Sequence, residues 1–206
     1  MIETILDKSD SLFRRYGLRS VTMSDIAKTL GVSKKTLYVH VENKSDLIKK
    51  LMDRHLSHTE MILKSIGMNS KNAIEELLGI CLYMQNEIKE VNPSLIYDLQ
   101  KYHPQIWDLL VNFHDSCLFP ILIKNMDKGK SEGLYREDLY PQVIAKIFVG
   151  TIPVISDAFS TTLKDIPNYI INKEFIKYHI NGIVSVKGID LIRGLLQKNK
   201  SLKDII

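Results

Sequence analysis

Cysteine is scarce in this chain: Cys81 and Cys117 are the only two among 206 residues. Small extracellular domains that depend on disulfides carry a larger set of cysteines at close spacings. A disulfide framework is therefore excluded, and we expect a protein of the reducing cytoplasm.

Uninterrupted apolar segments are also short. The longest, residues 143–159, is broken by Lys146, Pro153, Ser156 and Asp157, whereas a spanning helix needs about 18 or more nearly continuous apolar residues. The N-terminus has acidic residues among its apolar ones and no basic segment before an apolar one, unlike a signal peptide. We expect no membrane partner.

Motifs of catalytic sites are lacking as well. The sequence has no glycine-rich phosphate loop, no nucleophile elbow and no HExxH motif. His55 and His58 are three residues apart, as are His114 and Cys117, but a zinc site needs three or four ligands and no third is evident. Cys117 beside His114 also lacks a visible orienting group for nucleophilic catalysis. We expect no enzyme, no metal and no other cofactor.

Positive charge is concentrated in the first quarter of the chain. Residues 1–50 contain ten Lys and Arg and six Asp and Glu, and so carry the whole formal net charge of +4, while the other 156 residues contain 18 of each kind. Such asymmetry favours a basic N-terminal part that meets a polyanion and a neutral remainder with another task. A chance excess of four charges is the alternative.

Nearly the whole chain has helical periodicity. Strand-like alternation and hairpin dipeptides are absent over any useful length. We predict an all-α protein with a small N-terminal domain, residues 1–46, and a larger C-terminal helical domain, residues 47–206. Capping residues, glycines and prolines predict ten helices. The first four are residues 2–16, 23–30, about seven residues from 34, and 44 to about 66. The others are about 71–91, a short helix that starts at 93, 104 to about 130 with a kink at Pro120, one that starts at 141, Asn172 to about 187, and 189–197.

The third of these helices is unusually rich in hydrogen-bond donors. It lies within GVSKKTLYVHVENK, residues 31–44. At about 100° per residue, Leu37 and Val41 lie within about 40° of each other and face the interior. Lys35 and Val39 then point outward, with Lys34 and Tyr38 on one flank and Thr36 and His40 on the other. A short helix anchored by one apolar edge, after a turn at Gly31, is typical of a helix-turn-helix whose outward face enters the major groove.

Residues 12–48, LFRRYGLRSVTMSDIAKTLGVSKKTLYVHVENKSDLI, resemble the N-terminal DNA-binding domain of TetR-family transcriptional regulators. The resemblance extends over about residues 5–50, a quarter of the chain. Two positions depart from the family pattern: Val41 stands where phenylalanine is usual, and Tyr140 stands where related C-terminal domains often have an Asp or Asn cap. The matching positions are Phe13, Gly17, Thr22, Ile26, Ala27, Gly31, Val32, Ser33, Leu37, Tyr38, His40, Lys44 and Leu47.

The resemblance implies a homodimer that binds a palindromic operator in double-stranded DNA, usually as a repressor released by a small molecule. It assigns phosphate contacts to Tyr38, His40 and Lys44, and to the side chain or backbone of Thr22 and Ser33. It assigns contacts with base edges or the groove wall to Lys34, Lys35, Thr36 and Val39. By its chemistry Lys35 suits the O6 and N7 atoms of guanine, and Val39 suits a thymine methyl group.

Two helices of the C-terminal part favour dimerisation. Residues 142–159, QVIAKIFVGTIPVISDAF, are apolar on almost every side, and such a helix needs two partners, its own core and a second subunit. In the next helix Gly182 permits close approach. A single-chain core is the alternative. The predicted dimer residues are Ile144, Ile147, Ile155, Phe175, Ile176, Ile180 and Ile183.

Aromatic and polar residues mix along the middle helices, as in ligand pockets, which combine apolar walls with a few polar groups. Kinks at Pro120 and Pro153 would open space between these helices. No strong cluster of buried charge is evident, so we expect a largely apolar ligand. The alternative is a set of core aromatic residues with satisfied polar tips. The candidate ligand residues are Tyr83, Tyr97, His103, Trp107, Phe113, His114, Cys117 and Phe148.

Together these features predict a cytoplasmic, sequence-specific DNA-binding regulator of transcription, most simply a homodimeric repressor released by a small effector. The unbroken helix from residue 44 to about 66 is expected to couple the two domains. An activator or a ligand-independent regulator of the same fold stays open, and so does a helical protein-binding module that does not read DNA. The sequence names neither the effector nor the operator.

Overall fold

The computed structural model describes residues 1–90, 93–156, 165–199 and 202. These residues are helical apart from loops and one isolated bridge between Tyr135 and Val184, which confirms the all-α prediction. The α-helices are α1 (Ile2–Tyr16), α2 (Met23–Leu30), α3 (Lys34–Tyr38), α4 (Lys44–Asn69), α5 (Ala73–Glu90), α6 (Pro93–Tyr102), α7 (Pro104–Phe113), α8 (Phe119–Ser131), α9 (Pro141–Ser156), α10 (Asn168–Ile183) and α11 (Val186–Lys198); a π-helical turn, His114–Leu118, joins α7 to α8.

Local capping defines the turn between α2 and α3. Thr22 Oγ1 accepts a hydrogen bond from the Asp25 N–H at 3.2 Å, and Asp25 Oδ2 accepts one from the Thr22 N–H at 2.9 Å, a reciprocal capping box. Gly31 ends α2 with φ 67°, a left-handed conformation that glycine adopts without a Cβ clash. The Val32 N–H then donates to the Ala27 carbonyl at 3.0 Å. The chain therefore leaves α2 in the direction that a helix-turn-helix requires.

The N-terminal core is closed partly by later helices. The first apolar cluster contains Ile26, Leu37 and Leu47, all fully buried, together with Leu99 of α6 and Ile106 of α7. We call α1–α3 with the N-terminal half of α4 the head, and the rest the body. Because α4 supplies residues to the cores of both parts, it links them directly, and the boundary after residue 46 stays a prediction.

The body has its own larger core, in which Tyr135 occupies a central position. Its hydroxyl donates to the Ala73 carbonyl at 3.1 Å or to Asn125 Oδ1 at 2.8 Å. Gly129 is required beside it, since a Cβ there would lie 2.1 Å from Cδ2 of the Tyr135 ring. This contact holds the end of α8 against the start of α5.

The stretch Pro104–Ser131 is long enough and apolar enough to cross a membrane. A core helix meets the same conditions, and this stretch packs against α4, α5, α6 and α9 within the described residues. The predicted irregularity near Pro120 takes the form of the π-helical turn His114–Leu118 just before it. Proline has no N–H to donate to the carbonyl four residues earlier, which explains why regular α-helical bonding is interrupted there.

Two helix starts differ from those predicted. α10 begins at Asn168 rather than Asn172, because the buried Asn172 amide donates to Gln85 Oε1 inside the body and is not available as a cap. Gly188 does not precede the last helix but lies in its first turn, where its N–H donates to Ser185 Oγ at 3.1 Å. Asn172 and Gly188 are residue types that often mark helix ends, but here both residues lie inside a helix.

Candidate DNA-binding surface and effector cavity

The short helix α3 presents one exposed face on a buried anchor. Leu37 is fully buried and Val41 nearly so, whereas the Val39 side chain beside them is 74% exposed. Lys34, Lys35 and Tyr38 are also exposed. We call Lys34, Lys35, Tyr38 and Val39 the reading face. The predicted inward and outward orientations are confirmed, while the DNA contacts assigned to these residues stay predictions.

The hydroxyl groups at the helix starts already have partners. Ser33 Oγ accepts from the Thr36 N–H at 3.0 Å and lies 2.8 Å from Thr36 Oγ1. Thr22 Oγ1 donates to Asp25 Oδ2 at 2.7 Å. These contacts fix where α2 and α3 begin. They leave the backbone N–H groups of the first helical turns as the groups best placed to meet phosphate there.

Lys44 is directed into the head instead of toward its outer surface. Its ammonium donates to the Val21 carbonyl at 2.6 Å and to the Leu18 carbonyl, and lies 5.7 Å from the centre of the Phe13 ring. Burial lowers the pKa of Lys44, against the opposing effect of Asp98 and Asp25. In this conformation Lys44 ties the α1–α2 connection to α4, which corrects the expectation that its ammonium is presented for phosphate. His40 is half-buried at the end of the same region.

A cavity of about 230 Å³ lies between the head and the body. The head closes one side with α1 and α4, and the body closes the others mainly with α5, α6 and α7. Its wall is largely apolar, with eight polar residues in it. The lining residues are Asp10, Phe13, Arg14, Leu18, Ile48, Leu51, Met52, His55, Leu56, Thr59, Tyr83, Met84, Glu87, Ile88, Leu95, Ile96, Leu99, Leu110, Phe113, His114, Ile152 and Asn168.

The polar groups of the cavity form a small network across the two parts. Arg14 Nε donates to Asp10 Oδ2 at 2.9 Å on α1, and Arg14 Nη2 lies 3.4 Å from Glu87 Oε2 on α5. His55 Nδ1 lies 3.9 Å from the same Glu87 oxygen. Thr59 and Tyr83 share a hydrogen bond of 2.8 Å. An ion pair between α1 and α5 therefore lies in the cavity wall.

Burial keeps the two cavity histidines uncharged near pH 7. It lowers the pKa of His114 to about 4, with Asp115 opposing the shift. It also lowers the pKa of His55, and this effect exceeds the opposing attraction of Glu87. Among the described lining residues, the formal charges are then those of Asp10, Arg14 and Glu87.

Residues 5–51 match the family described as bacterial regulatory proteins, tetR family. The chain is 26% identical over 158 residues to the HTH-type transcriptional regulator YvaF of Bacillus subtilis, spanning 76% of this chain and 82% of the relative. Among solved structures, a transcriptional regulator from Saccharomonospora viridis superposes with a TM-score of 0.71 at 19% identity, over 89% of this chain and 97% of that one. FadR from B. subtilis superposes with a TM-score of 0.63 at 17% identity, over 89% and 100%. Residues 5–51 therefore form a tetR-family domain. Its relatives are transcriptional regulators, not enzymes.

Three predicted ligand residues line the cavity: Tyr83, Phe113 and His114. The other five do not. Tyr97 contacts Lys101 through its hydroxyl, and His103 precedes α7 with Nδ1 3.4 Å from Ser45 Oγ. Trp107 packs against the head core, Cys117 against the body core, and Phe148 is buried beside Phe175 and His179.

The head supplies cavity residues that sequence reasoning missed. Asp10, Phe13 and Arg14 come from α1, and His55 and Thr59 from the adjoining part of α4. The i, i+4 spacing of Asp10 and Arg14 was visible as a helix-surface pair. Nothing local indicated that α5 packs against this pair and turns it into a cavity wall. Within the described residues, no three His, Cys, Asp or Glu side chains come together to hold a metal ion.

The large apolar side chains that α9 and α10 expose differ from the residues predicted for the dimer interface. Ile176, Ile180 and Ile183 are each 2% exposed and lie in the chain's own core, so their assignment to a partner interface is corrected. Ile144 and Phe175 pack against that core, and the side chain of Ile155 lies outside the described residues. Val143 and Ile147 of α9 are 56% and 53% exposed, and Tyr178 of α10 is 81% exposed. We call these three residues the exposed strip.

Proposed function

We propose that this TetR-family chain is a repressor that binds an inverted repeat in double-stranded DNA as a homodimer and is released when a small molecule occupies the cavity. The observation that carries the proposal is the reading face, an exposed set of donors and one methyl-bearing side chain on a helix anchored by Leu37. A protein with this task works in the bacterial cytoplasm.

The chemistry of the reading face suits a major groove. Lysine donates to guanine O6 and N7, and valine meets the thymine methyl group. Tyr38 and Lys34, at the edges of the reading face, and the starts of α2 and α3 would meet the phosphates on the groove walls. Since α3 has five residues, one copy contacts few base pairs. Two copies on half-sites about one helical turn apart, roughly 34–36 Å, supply the specificity that one lacks.

The exposed strip on α9 and α10 supports the homodimer. Val143 and Ile147 are one helical turn apart on α9, and Gly150 follows at the same face with no side chain. On α10, Tyr178 and Gly182 are spaced in the same way, and a Cβ at either glycine would meet no heavy atom within 4 Å in the single chain. Large exposed apolar side chains beside exposed glycines favour close packing against the same helices of a second copy.

The cavity supports control by a small molecule. Structures of the same fold are described with choline for the S. viridis regulator and with stearoyl-CoA for FadR, so this architecture accommodates ligands of different sizes. At about 230 Å³, the cavity here suits a small compound. Its position between α1, α4 and α5 means that an occupant contacts the head directly, and a ligand that prefers one head position shifts the equilibrium between the two.

Selection from random duplex DNA by the purified protein, sequenced and repeated at two salt concentrations, tests the proposal. Enrichment of an inverted repeat with half-sites about one turn apart is the expected result. Salt-sensitive binding with no enriched sequence contradicts it, since that result would describe electrostatic attraction alone. In that case a helical protein-binding module would be favoured.

A further inference from the structure

The charges around the cavity do not balance. Asp10 and Glu87 bring two carboxylates, Arg14 brings one guanidinium, and no lysine is among the described lining residues. Burial keeps His55 and His114 neutral near pH 7. The described wall therefore has a formal charge of −1 facing an otherwise apolar space.

Glu87 is the carboxylate that is less well neutralised. Arg14 binds Asp10 at 2.9 Å but reaches Glu87 only at 3.4 Å, and His55 Nδ1 is farther away, at 3.9 Å. Hydrogen bonds between charged groups are normally about 2.7–2.9 Å long. The Glu87 side chain is 33% exposed, so the approach to it is partly open to solvent. A positively charged group that enters the cavity has a carboxylate available.

One hydrogen-bond donor of Arg14 has no partner in the part of the chain that the structure describes. Its Nη1 atom is buried and has no hydrogen-bond partner among the described residues. A buried donor without a partner is unfavourable, so the present position of Arg14 between the two carboxylates leaves its guanidinium incompletely satisfied. Movement of Arg14 away from Glu87 gives up only one long contact.

Aromatic rings complete the environment. Tyr83 and Phe113 are in the same wall as Glu87, and Met84 and Ile88 flank it on α5. Ring faces attract alkylammonium groups, and more strongly where water is excluded. A carboxylate ligand would instead meet two carboxylates with one guanidinium already shared between them, and like charges in a partly buried space repel.

From this geometry we infer that the cavity takes an organic cation with an apolar body, whose positive group binds Glu87 in competition with Arg14. The binding itself requires only the described cavity. The regulatory consequence, a weaker link between α1 and α5 and a head that moves more freely, rests on the proposed function.

Binding of hexyltrimethylammonium, 1-hexanol and hexanoate to the full chain without DNA, measured by calorimetry, tests the inference. The cation should bind at least about 10-fold more tightly than the alcohol, and hexanoate more weakly than either. A higher affinity for the alcohol or for hexanoate overturns the inference, and so does the absence of binding by all three.

Two variants should change the affinity for the cation in opposite directions. Glu87→Gln should lower the affinity for the cation about 10-fold and leave that for hexanol unchanged, whereas Arg14→Gln should raise it, because a competitor for Glu87 is gone. Glu60→Gln is the matched control, since Glu60 pairs with Lys64 on α4 and does not line the cavity.

If Glu87→Gln fails to fold, the comparison of the three compounds on the wild-type chain still tests the inference. A chain that selects an inverted repeat but does not prefer the cation keeps the proposed function and loses this inference; one that prefers the cation but selects no DNA does the reverse.

Discussion

Arg14 Nη2 and Glu87 Oε2 lie 3.4 Å apart, and this ion pair joins the first helix of the head to the first wholly body helix. The two residues are 73 positions apart in sequence. Their contact lies in the wall of the cavity, so an occupant of the cavity meets the connection between the two parts directly. In the proposed mechanism, control of the head therefore does not depend on α4 alone.

Removing Arg14 should weaken the coupling between effector and operator. Arg14→Met removes the ion pair between α1 and Glu87. The effector then has no Arg14–Glu87 contact to displace, so its binding should change the position of the head less. The ratio of operator affinities without and with saturating effector should fall about 5-fold or more, within the usual range of coupling energies. Arg54→Met is the control, because Arg54 binds Glu3 and Asp7 within the head. An unchanged ratio in Arg14→Met contradicts the role given to this pair.

Lys44→Ala should destabilise the protein. The substitution removes the ammonium that binds the Leu18 and Val21 carbonyls, and charge-assisted bonds of this kind contribute about 1.5–3 kcal/mol each when well buried. Since Lys44 is only half-buried, we expect a loss of about 2 kcal/mol in the free energy of unfolding, measured by urea denaturation. Lys64→Ala, which removes an exposed pair on the same helix, should change it by about 0.5 kcal/mol or less. Equal effects of the two substitutions would show that Lys44 does not hold the head together.

Lys35→Ala should relax base preference. A lysine that contacts a base edge contributes about 1–3 kcal/mol of discrimination, so the affinity for the selected site should fall about 10-fold or more while that for random duplex changes little. Lys28→Ala, at an exposed position on α2, should leave the ratio of the two affinities unchanged. Fluorescence anisotropy on both duplexes measures the ratio. A proportional loss on both DNAs by Lys35→Ala would place this lysine on the phosphates.

Val143→Glu should convert the proposed dimer to a monomer. A charge in the middle of the apolar strip must be buried without a partner, which costs several kcal/mol in each subunit. Val186→Glu is the matched control, since Val186 is 79% exposed on α11 and belongs to neither α9 nor α10. Sedimentation velocity distinguishes the two. A wild-type chain that sediments as a monomer, or a Val143→Glu chain that stays dimeric, contradicts the proposed interface.

Stability should fall as the pH is lowered from about 6.5 toward 4. Burial lowers the pKa of His179 to about 4, and its ring lies 4.8 Å from that of Phe148. The folded pKa is below the unfolded value, so the unfolded chain binds more protons in this window and is stabilised relative to the folded chain as the pH drops. At pH 5 this one group costs about 2 kcal/mol relative to pH 7.5.

His179→Gln checks the pH effect. The fall in unfolding free energy between pH 7.5 and pH 5 should be about 2 kcal/mol smaller than in the wild-type chain, whatever the substitution does to stability at pH 7.5. His58→Gln, at an exposed site on α4, should leave the fall unchanged. Identical pH dependence in all three proteins would contradict the assignment.

Several helix ends and the inward face of α3 were predicted correctly, because short-range patterns in the sequence determine them. Leu37 and Val41 were placed inward from helical spacing alone, and Thr22, Gly31 and Asn43 were placed at helix ends from capping chemistry. For the caps, the interacting groups are within about five residues in sequence, and for Leu37 and Val41 the helical spacing alone sets which face they share. Such contacts form wherever the segment is helical, so the sequence is sufficient to predict them.

Contacts between distant segments were not predictable in this way. Lys44 was expected to point outward, but its acceptors are carbonyl groups more than 20 residues earlier in the chain. Ile176 and Ile180 are apolar like interface residues, and only the packing of α10 on α5 and α9 shows that they face inward. The cavity depends in the same way on how α1 meets α5. Each of these features depends on tertiary packing that helical periodicity does not encode.

The most direct test of the central claim is the affinity of the purified chain for its selected inverted repeat, compared with a scrambled duplex of equal length and composition at one physiological salt concentration. If the reading face recognises bases, the repeat should bind about 1,000-fold or more tightly than the scrambled duplex, as is usual for specific binding. Equal affinities, both falling steeply with salt, would mean that the head attracts phosphate without reading sequence, and the account of α3 as a recognition helix would be wrong.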